Sequence, residues 1–78
     1  MNVKVSRRLL ASEHDNQKWL VLVGEVAGVP QVTKTRAINT SALADGSLTL
    51  EAETAQLVAD VEEYHTRWLA VQKAVSEL

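Results

Sequence analysis

The segment Glu62-Glu63-Tyr64-His65 contains the spacing that comes nearest to a metal site in this chain. Glu62 and His65 lie three residues apart, which on a helix places a carboxylate and an imidazole on one face, as in di-iron carboxylate proteins. Such a site needs further glutamates from other helices, and the sequence predicts a single long helix. We therefore predict that Glu62 and His65 are solvated neighbours beside an apolar helix face, and that the protein binds no metal.

The serine and glycine positions assemble neither a nucleophile nor a phosphate-binding loop. The serines fall in predicted turns or near the termini, and the sequence has no G-x-S-x-G motif. The three glycines, Gly24, Gly28 and Gly46, are too far apart to surround a phosphate. Because the chain has no cysteine, thiol nucleophiles and thiolate metal sites are excluded. The sequence predicts a protein that is not an enzyme and uses no cofactor.

Length and composition predict one small domain in a reducing compartment. The chain has 78 residues, of which 46% are hydrophobic, so it should fold around a small core as a single domain, 1–78. It lacks the disulfides that stabilise most small secreted domains. The apolar run Trp19–Val23 is far shorter than the roughly 20 residues that span a bilayer. We predict a soluble, cytoplasmic protein that does not bind membranes.

Alternation of apolar and polar residues predicts three strands, at about 2–11, 18–27 and 31–38. The Arg7-Arg8 pair interrupts the alternation of the first strand and predicts a bulge there. The polar segment 12–17, which includes an exposed His14, has the composition of a hairpin loop. Gly28-Val29-Pro30 separates the second strand from the third. Consecutive antiparallel strands form a meander, with the second strand in the centre.

The pattern changes to a helical period after a loop at 39–49. From Leu57 onward the apolar residues are spaced alternately four and three apart, which predicts a helix over about 50–77 with Ser47 or Thr49 as its N-cap. The predicted fold class is α+β, a three-stranded antiparallel β-meander followed by one long C-terminal α-helix packed on one sheet face. A helix of this length is roughly 40 Å long and the strands about 27 to 34 Å, so we expect it to overhang the sheet or bend.

The central strand is apolar on both faces, yet one helix covers only one face. Its side chains divide into two sets, with Trp19, Val21 and Val23 in one and Leu20, Leu22 and Val26 in the other. Monomers rarely expose a large apolar patch, so we predict a homodimer that forms through the second sheet face or the helix seam, and we assign its self-interface to Leu20, Leu22 and Val26. The alternative is an obliquely packed helix with loop 39–49 folded across the other sheet face.

Charge is divided unevenly along the chain. The first 40 residues carry a net charge of +3 and the last 38 a net charge of −5, for a total of −2. The acidic helix face predicts either a solvated surface or a surface that steers a basic protein or protein complex. Tyr64 and Trp68 would add apolar anchors. The predicted partner-binding residues are Glu51, Glu53, Asp60, Glu62, Glu63, Tyr64 and Trp68.

Basic residues on the outer strands offer a different partner. Lys34 and Arg36 share one face of the third strand, and Lys4 and Arg8 share one face of the first. If these faces coincided, they would form a basic stripe suited to nucleic acid. The same positions equally fit cations that keep edge strands soluble.

These features favour a non-enzymatic module that binds another protein or protein complex. A short, acidic, cysteine-free chain belongs to the size and composition class of many phage and mobile-element products. The first prediction is accordingly an inhibitor or adaptor of the anti-defence type, which blocks a basic, nucleic-acid-handling host complex through the acidic helix face. The alternatives are a small phage assembly or structural component that forms homo-oligomers, and a weak nucleic-acid binder that uses the basic strand face.

Overall fold

A computed structural model describes residues 2–11 and 17–78 and contains a three-stranded antiparallel sheet with a long helix on one face. The strand order is β1-β2-β3, so β2 is central. This confirms the predicted α+β fold. Residues 12–16 of the predicted hairpin loop, with His14, lie outside the described residues. The elements are β1 (Val3–Ala11), β2 (Lys18–Val26), β3 (Val29–Asn39), α1 (Thr40–Ala44) and α2 (Leu50–Ser76).

The ladder between β1 and β2 is regular from end to end. Val3 lies opposite Val26 and Ala11 opposite Lys18, with no shift at the Arg7-Arg8 pair, so the predicted bulge at the arginines is wrong. Arg7 and Arg8 are both exposed, one on each face of β1, so the strand can hold two successive cations without a bulge. The irregularity falls instead in the ladder between β2 and β3, at Glu25 and Val26.

The turn between β2 and β3 is shorter than the sequence predicted. It consists of Ala27 and Gly28, and Gly28 has a φ of 81°, a conformation that suits glycine. As a result β3 begins at Val29 and includes Pro30. Proline has no N–H to donate, and an edge strand tolerates this because one side of its backbone makes no ladder.

The core lies between α2 and one face of the sheet. Thr49 is the N-cap of α2 and accepts a hydrogen bond from the backbone N–H of Ala52 at 3.2 Å, which confirms one of the two predicted caps. Each element except β1 and α1 contributes fully buried side chains to the core. The buried apolar residues are Leu22, Val26, Val32, Ile38, Leu57 and Val61.

The segment between β3 and α2 contains a short helix rather than an irregular loop. Asn39 caps α1 by accepting a hydrogen bond from the N–H of Ser41 at 2.9 Å. Leu43 and Leu48 pack against the same core as α2, so this segment does not fold across the other face of the sheet. In the turn after α1, the hydroxyl and backbone N–H of Ser47 donate to Asp45 and hold the pKa of that carboxyl below its ordinary value.

The second half of α2 extends beyond the sheet. A helix of 27 residues is about 40 Å long, whereas a nine-residue strand spans about 30 Å. Every residue from Leu69 to Leu78 is exposed, and the molecule is 51 Å along its longest axis. The expected overhang is therefore present, and we call residues 69–78 the α2 overhang.

Candidate functional site

The two faces of the sheet differ in what covers them. Residues that lie opposite one another in an antiparallel ladder point to the same face. On β2, Leu22, Gly24 and Val26 point towards α2, while Trp19, Val21 and Val23 point away from it. Both α1 and α2 pack on the first side, so among the described residues no helix covers the second.

The residues predicted to form a self-interface lie under α2. Leu22 is 0% exposed and Val26 6% exposed within the single chain, and Leu20 packs against the same core. Leu22 and Val26 are therefore closed to a second copy and Leu20 is partly closed, so the predicted self-interface residues lie under the helix rather than on the uncovered side. The alternation of β2 indicates which residues share a face, but it does not indicate which of the two faces α2 covers. The helix covers the face that carries Leu20, Leu22 and Val26.

Gly24 explains why α2 occupies this face. A Cβ atom at Gly24 would lie 3.0 Å from Cγ2 of Val61 and 3.2 Å from Cγ of Leu57, closer than ordinary packing allows. The missing side chain lets the helix lie directly on the central strand. The other face of β2 has no such gap, because Val21 and Val23 occupy the corresponding positions.

The uncovered side presents an apolar centre with a polar margin. We call this set of five residues the open apolar face, and all of them are partly or fully exposed. Its residues are Leu10, Trp19, Val21, Val23 and Ala37. Register places Leu10 opposite Trp19 and Ala37 opposite Val21, which makes the patch continuous across all three strands. Such continuous apolar surface is typical of a docking site.

The predicted acidic partner-binding surface is smaller than the sequence suggested. Glu53 is 8% exposed and forms an ion pair with Arg36 of β3, and the hydrogen bond that the Arg36 guanidinium donates to the Glu53 carboxylate raises the pKa of Arg36. Glu63 is paired with Arg67 at 2.6 Å on the surface. Glu51 and Glu62 are exposed. Glu53 is thus a structural residue of the helix–sheet contact.

Two further residues of the predicted acidic surface are partly buried. Asp60 is half-buried and accepts a hydrogen bond from the Gln56 amide at 2.9 Å. Tyr64 packs against the core, and the Lys34 ammonium lies 5.1 Å from its ring centroid, a cation–π geometry. The α2 face that carries them is therefore partly engaged by β3.

Trp68 marks the end of the helix–sheet contact. It is half-buried against the core and stacks on His65, with ring centroids 6.2 Å apart. Beyond it the apolar spacing of α2 continues without any covering element among the described residues, at Val71 and Val75, which are 57% and 59% exposed. The α2 overhang is thus a second apolar surface.

The predicted basic stripe does not form. Lys34 lies opposite Gly24 and Arg36 opposite Leu22, so both point towards α2. Lys4 lies opposite Glu25 and Arg8 opposite Val21, so both point to the open side. The four cations of the nucleic-acid alternative are split between the two faces, because the ladder registers of β1 and β3 place them out of phase.

The outer edge of β1 is a feature that the sequence analysis did not identify. Lys4, Arg7 and Arg8 are exposed, and no carboxylate of the described residues forms an ion pair with them. Leu9 and Leu10 beside them are 60% and 43% exposed. The absence of any acidic residue from Val3 to Ala11 was the signal in the sequence.

Within residues 2–11 and 17–78, no group of three or more metal-ligating side chains comes together, and no enclosed cavity is found. Of the predicted Glu62 and His65 pair, the first is exposed and the second stacks on Trp68. Neither helix of the described chain has the length and apolar character that crossing a bilayer requires. Comparison with protein families, with curated proteins and with solved structures finds no match for this chain.

Proposed function

We propose that the protein is a non-enzymatic interaction module that binds another protein through its open apolar face. The observation that carries this proposal is the position of Trp19, Val21 and Val23 on the central strand, with both helices packed on the opposite side of the sheet. A tryptophan flanked by β-branched residues offers a rigid apolar anchor, the kind of residue that dominates protein interfaces.

In this proposal the module binds a surface of its partner and blocks it, as an inhibitor or adaptor of the type that phage and mobile elements use against host complexes. The exposed carboxylates Glu51 and Glu62 support a contribution from charge, since they would draw a basic, nucleic-acid-handling complex towards the protein. This steering would change the association rate more than the final affinity. A cytoplasmic setting belongs to the same proposal and is supported by the lack of cysteine.

A second candidate function is assembly of copies of this chain into a small structural component. The observation that favours it is the presence of two uncovered apolar surfaces, the open apolar face and the α2 overhang. A chain with two separate surfaces can join more than one neighbour, which is the requirement for assemblies beyond a dimer.

Site-specific photo-crosslinking tests the proposal. A benzophenone amino acid replaces Val21 on the open apolar face, and in a control protein it replaces Thr66, which is exposed on α2. We expect a single heteromeric product from Val21 in an extract of the natural host cells, and none from Thr66. Introducing Val23→Glu into the protein that carries the benzophenone amino acid at position 21 should abolish the crosslinked product.

The outcomes separate the two candidates. A product from Val21 with twice the mass of the chain would favour the assembly function. Equal products from both positions, or none from Val21, would contradict docking through the open apolar face.

A further inference from the structure

The two edges of the sheet differ in how open they are to another strand. β3 carries Pro30 and meets β2 with an irregular register, and its cations Lys34 and Arg36 are engaged by Tyr64 and Glu53. Proline and an irregular register both discourage the pairing of a further strand at an edge, and the engaged cations of β3 are not free to bind a partner. β1 has nine residues without proline or glycine and a regular ladder on its inner side. Its outer backbone edge is the better template for an added strand.

The side chains of β1 give this edge a distinct chemistry on each face of the sheet. On the open side of the sheet, β1 presents Lys4, Ser6, Arg8 and Leu10. On the α2 side the same strand presents mainly apolar residues, with Arg7 as the exception. A complementary strand therefore alternates as well, with acidic residues on the open side and apolar residues on the α2 side.

A second copy of β1 does not meet this requirement. Pairing two β1 strands would bring three cations from each chain into one ladder that contains no carboxylate. Like charges directly opposite one another destabilise a ladder. The cations that exclude a second copy would form favourable cross-strand pairs with glutamate or aspartate.

We propose that the outer edge of β1 binds an extended acidic segment of the partner protein by strand addition. This rests on the proposed function and names the part of the partner that is recognised. Backbone hydrogen bonds to β1 hold the segment, and its carboxylates meet Lys4 and Arg8. Its apolar residues pack beside Val3 and Val5, at the margin of the α2 side.

The charges of the whole molecule are consistent with a protein segment rather than a nucleic acid. The chain has a net charge of −2, and Glu51 and Glu62 are exposed on α2. A nucleic acid that extended beyond β1 would bring its phosphates to this negative charge, whereas a short acidic segment stays on β1, and phosphates would gain nothing from the exposed Leu9 and Leu10. The cations of β1 and the carboxylates of α2 lie on different elements, so a partner of mixed charge can meet both.

The test uses two synthetic peptides with blocked ends, each of about ten residues. One alternates Glu with Val and the other alternates Lys with Val. Binding is followed by amide NMR shifts and amide exchange on the whole chain. We expect the Glu peptide to shift and protect the amides of β1, more weakly as salt is raised, and the Lys peptide to leave them unchanged.

Charge reversal supplies the matched control. Lys4→Glu with Arg8→Glu should weaken binding of the Glu peptide about tenfold and create binding of the Lys peptide. Lys73→Glu, an equally exposed change on α2, should alter neither. Gained binding of the Lys peptide also shows that the double variant is folded.

Several results would overturn the inference. These are equal binding of both peptides, shifts centred on β3 rather than β1, or β1 shifts produced by a single-stranded oligonucleotide but not by the Glu peptide. If the Glu peptide failed to bind β1 while the crosslink from position 21 still formed, only the proposal of strand addition would be wrong. Loss of the Val21 crosslink with intact peptide binding would instead remove docking through the open apolar face.

Discussion

Gly24 controls how closely α2 can approach the sheet. A Cβ atom there would lie 3.0 Å from a methyl group of Val61, so even alanine requires the side chains of Val61 and Leu57 to shift by a few tenths of an ångström. The glycine acts through packing, since no positive φ is required of it. A residue that looks unfavourable in the middle of a strand is thus what allows the core to form.

We expect Gly24→Ala to lower the free energy of unfolding by about 1 to 3 kcal/mol, the usual cost of overpacking a tight core. Urea denaturation measures this change. The double variant Gly24→Ala with Val61→Ala should lose less than the sum of the two single changes, because the smaller residue at 61 makes room for the new methyl group. Additive losses would show that Gly24 does not act through contact with Val61.

The ion pair between Arg36 and Glu53 fastens α2 to β3. Glu53 is almost buried, so Arg36→Met leaves its carboxylate without a partner and should cost about 1 to 3 kcal/mol. Arg67→Met, which breaks the exposed pair with Glu63, should cost less than about 1 kcal/mol. The raised pKa of the Arg36 guanidinium means that its contribution is fully present below the ordinary arginine pKa and, on the alkaline side, is lost only as the pH rises through that raised pKa.

Urea denaturation of the two single variants at neutral pH compares these costs. Arg36→Met combined with Glu53→Leu removes both charges and should recover much of the stability lost in Arg36→Met alone. If Arg36→Met and Arg67→Met proved equally mild, Glu53 would not depend on Arg36.

Element spans follow from local pattern, and most of them could be predicted from the sequence. Strand alternation and the four-three spacing of α2 place the three strands and the long helix within two residues of their observed bounds. The short helix α1 was missed because five residues carry too little periodicity to be recognised. The early start of β3 is not evident from the sequence, because proline usually ends a strand, whereas an edge strand such as β3 tolerates Pro30.

The strand register decides which face of the sheet each side chain occupies and which side chains it contacts, and the sequence does not determine that register. A shift of one residue moves every side chain of a strand to the other face. This is why Lys4 and Lys34 could not be assigned to opposite faces, and why Glu53 could not be recognised as the partner of Arg36. Gly24 was the available signal for the face that α2 covers.

The α2 overhang should behave as a separate region in hydrogen exchange. Its residues are all exposed and none belongs to the buried core, so its amides can open without disturbing the core. We expect amides of residues 71–76 to exchange at least a hundredfold faster than those of Leu57 and Val61. Exchange of the Leu22 amide on β2 serves as an internal reference for global unfolding.

Protection of the overhang would contradict its exposure in the single chain. If amides of residues 71–76 were as slow as those of Leu57, another surface would have to cover them. A rise in that protection with protein concentration would identify the covering surface as a second copy. Val75→Glu should change stability by less than about 0.5 kcal/mol if the overhang is uncovered.

At the scale of the whole molecule, the area of the open side limits what it can bind alone. Three strands of about nine residues, at about 3.3 Å per residue and about 4.8 Å between strands, present a face of about 400 Å². A stable interface takes about 800 Å² from each partner. We therefore expect the chain to be monomeric at micromolar concentration by light scattering, and a tight partner to use a further surface such as the edge of β1.

Two neighbouring residues on β2 provide the sharpest test of this arrangement. Leu22→Glu would bury a charge at a position that is 0% exposed, so we expect the chain to unfold, whereas Val21→Glu adds a charge to the open apolar face and should leave the fold intact. Circular dichroism melts of both variants, with light scattering on the folded one, measure the outcome. The reverse result, a folded Leu22→Glu and an unfolded Val21→Glu, would mean that α2 lies on the other face. If wild type is a dimer at micromolar concentration and Val21→Glu a folded monomer, the open apolar face joins two copies despite its small area, which would favour the assembly function.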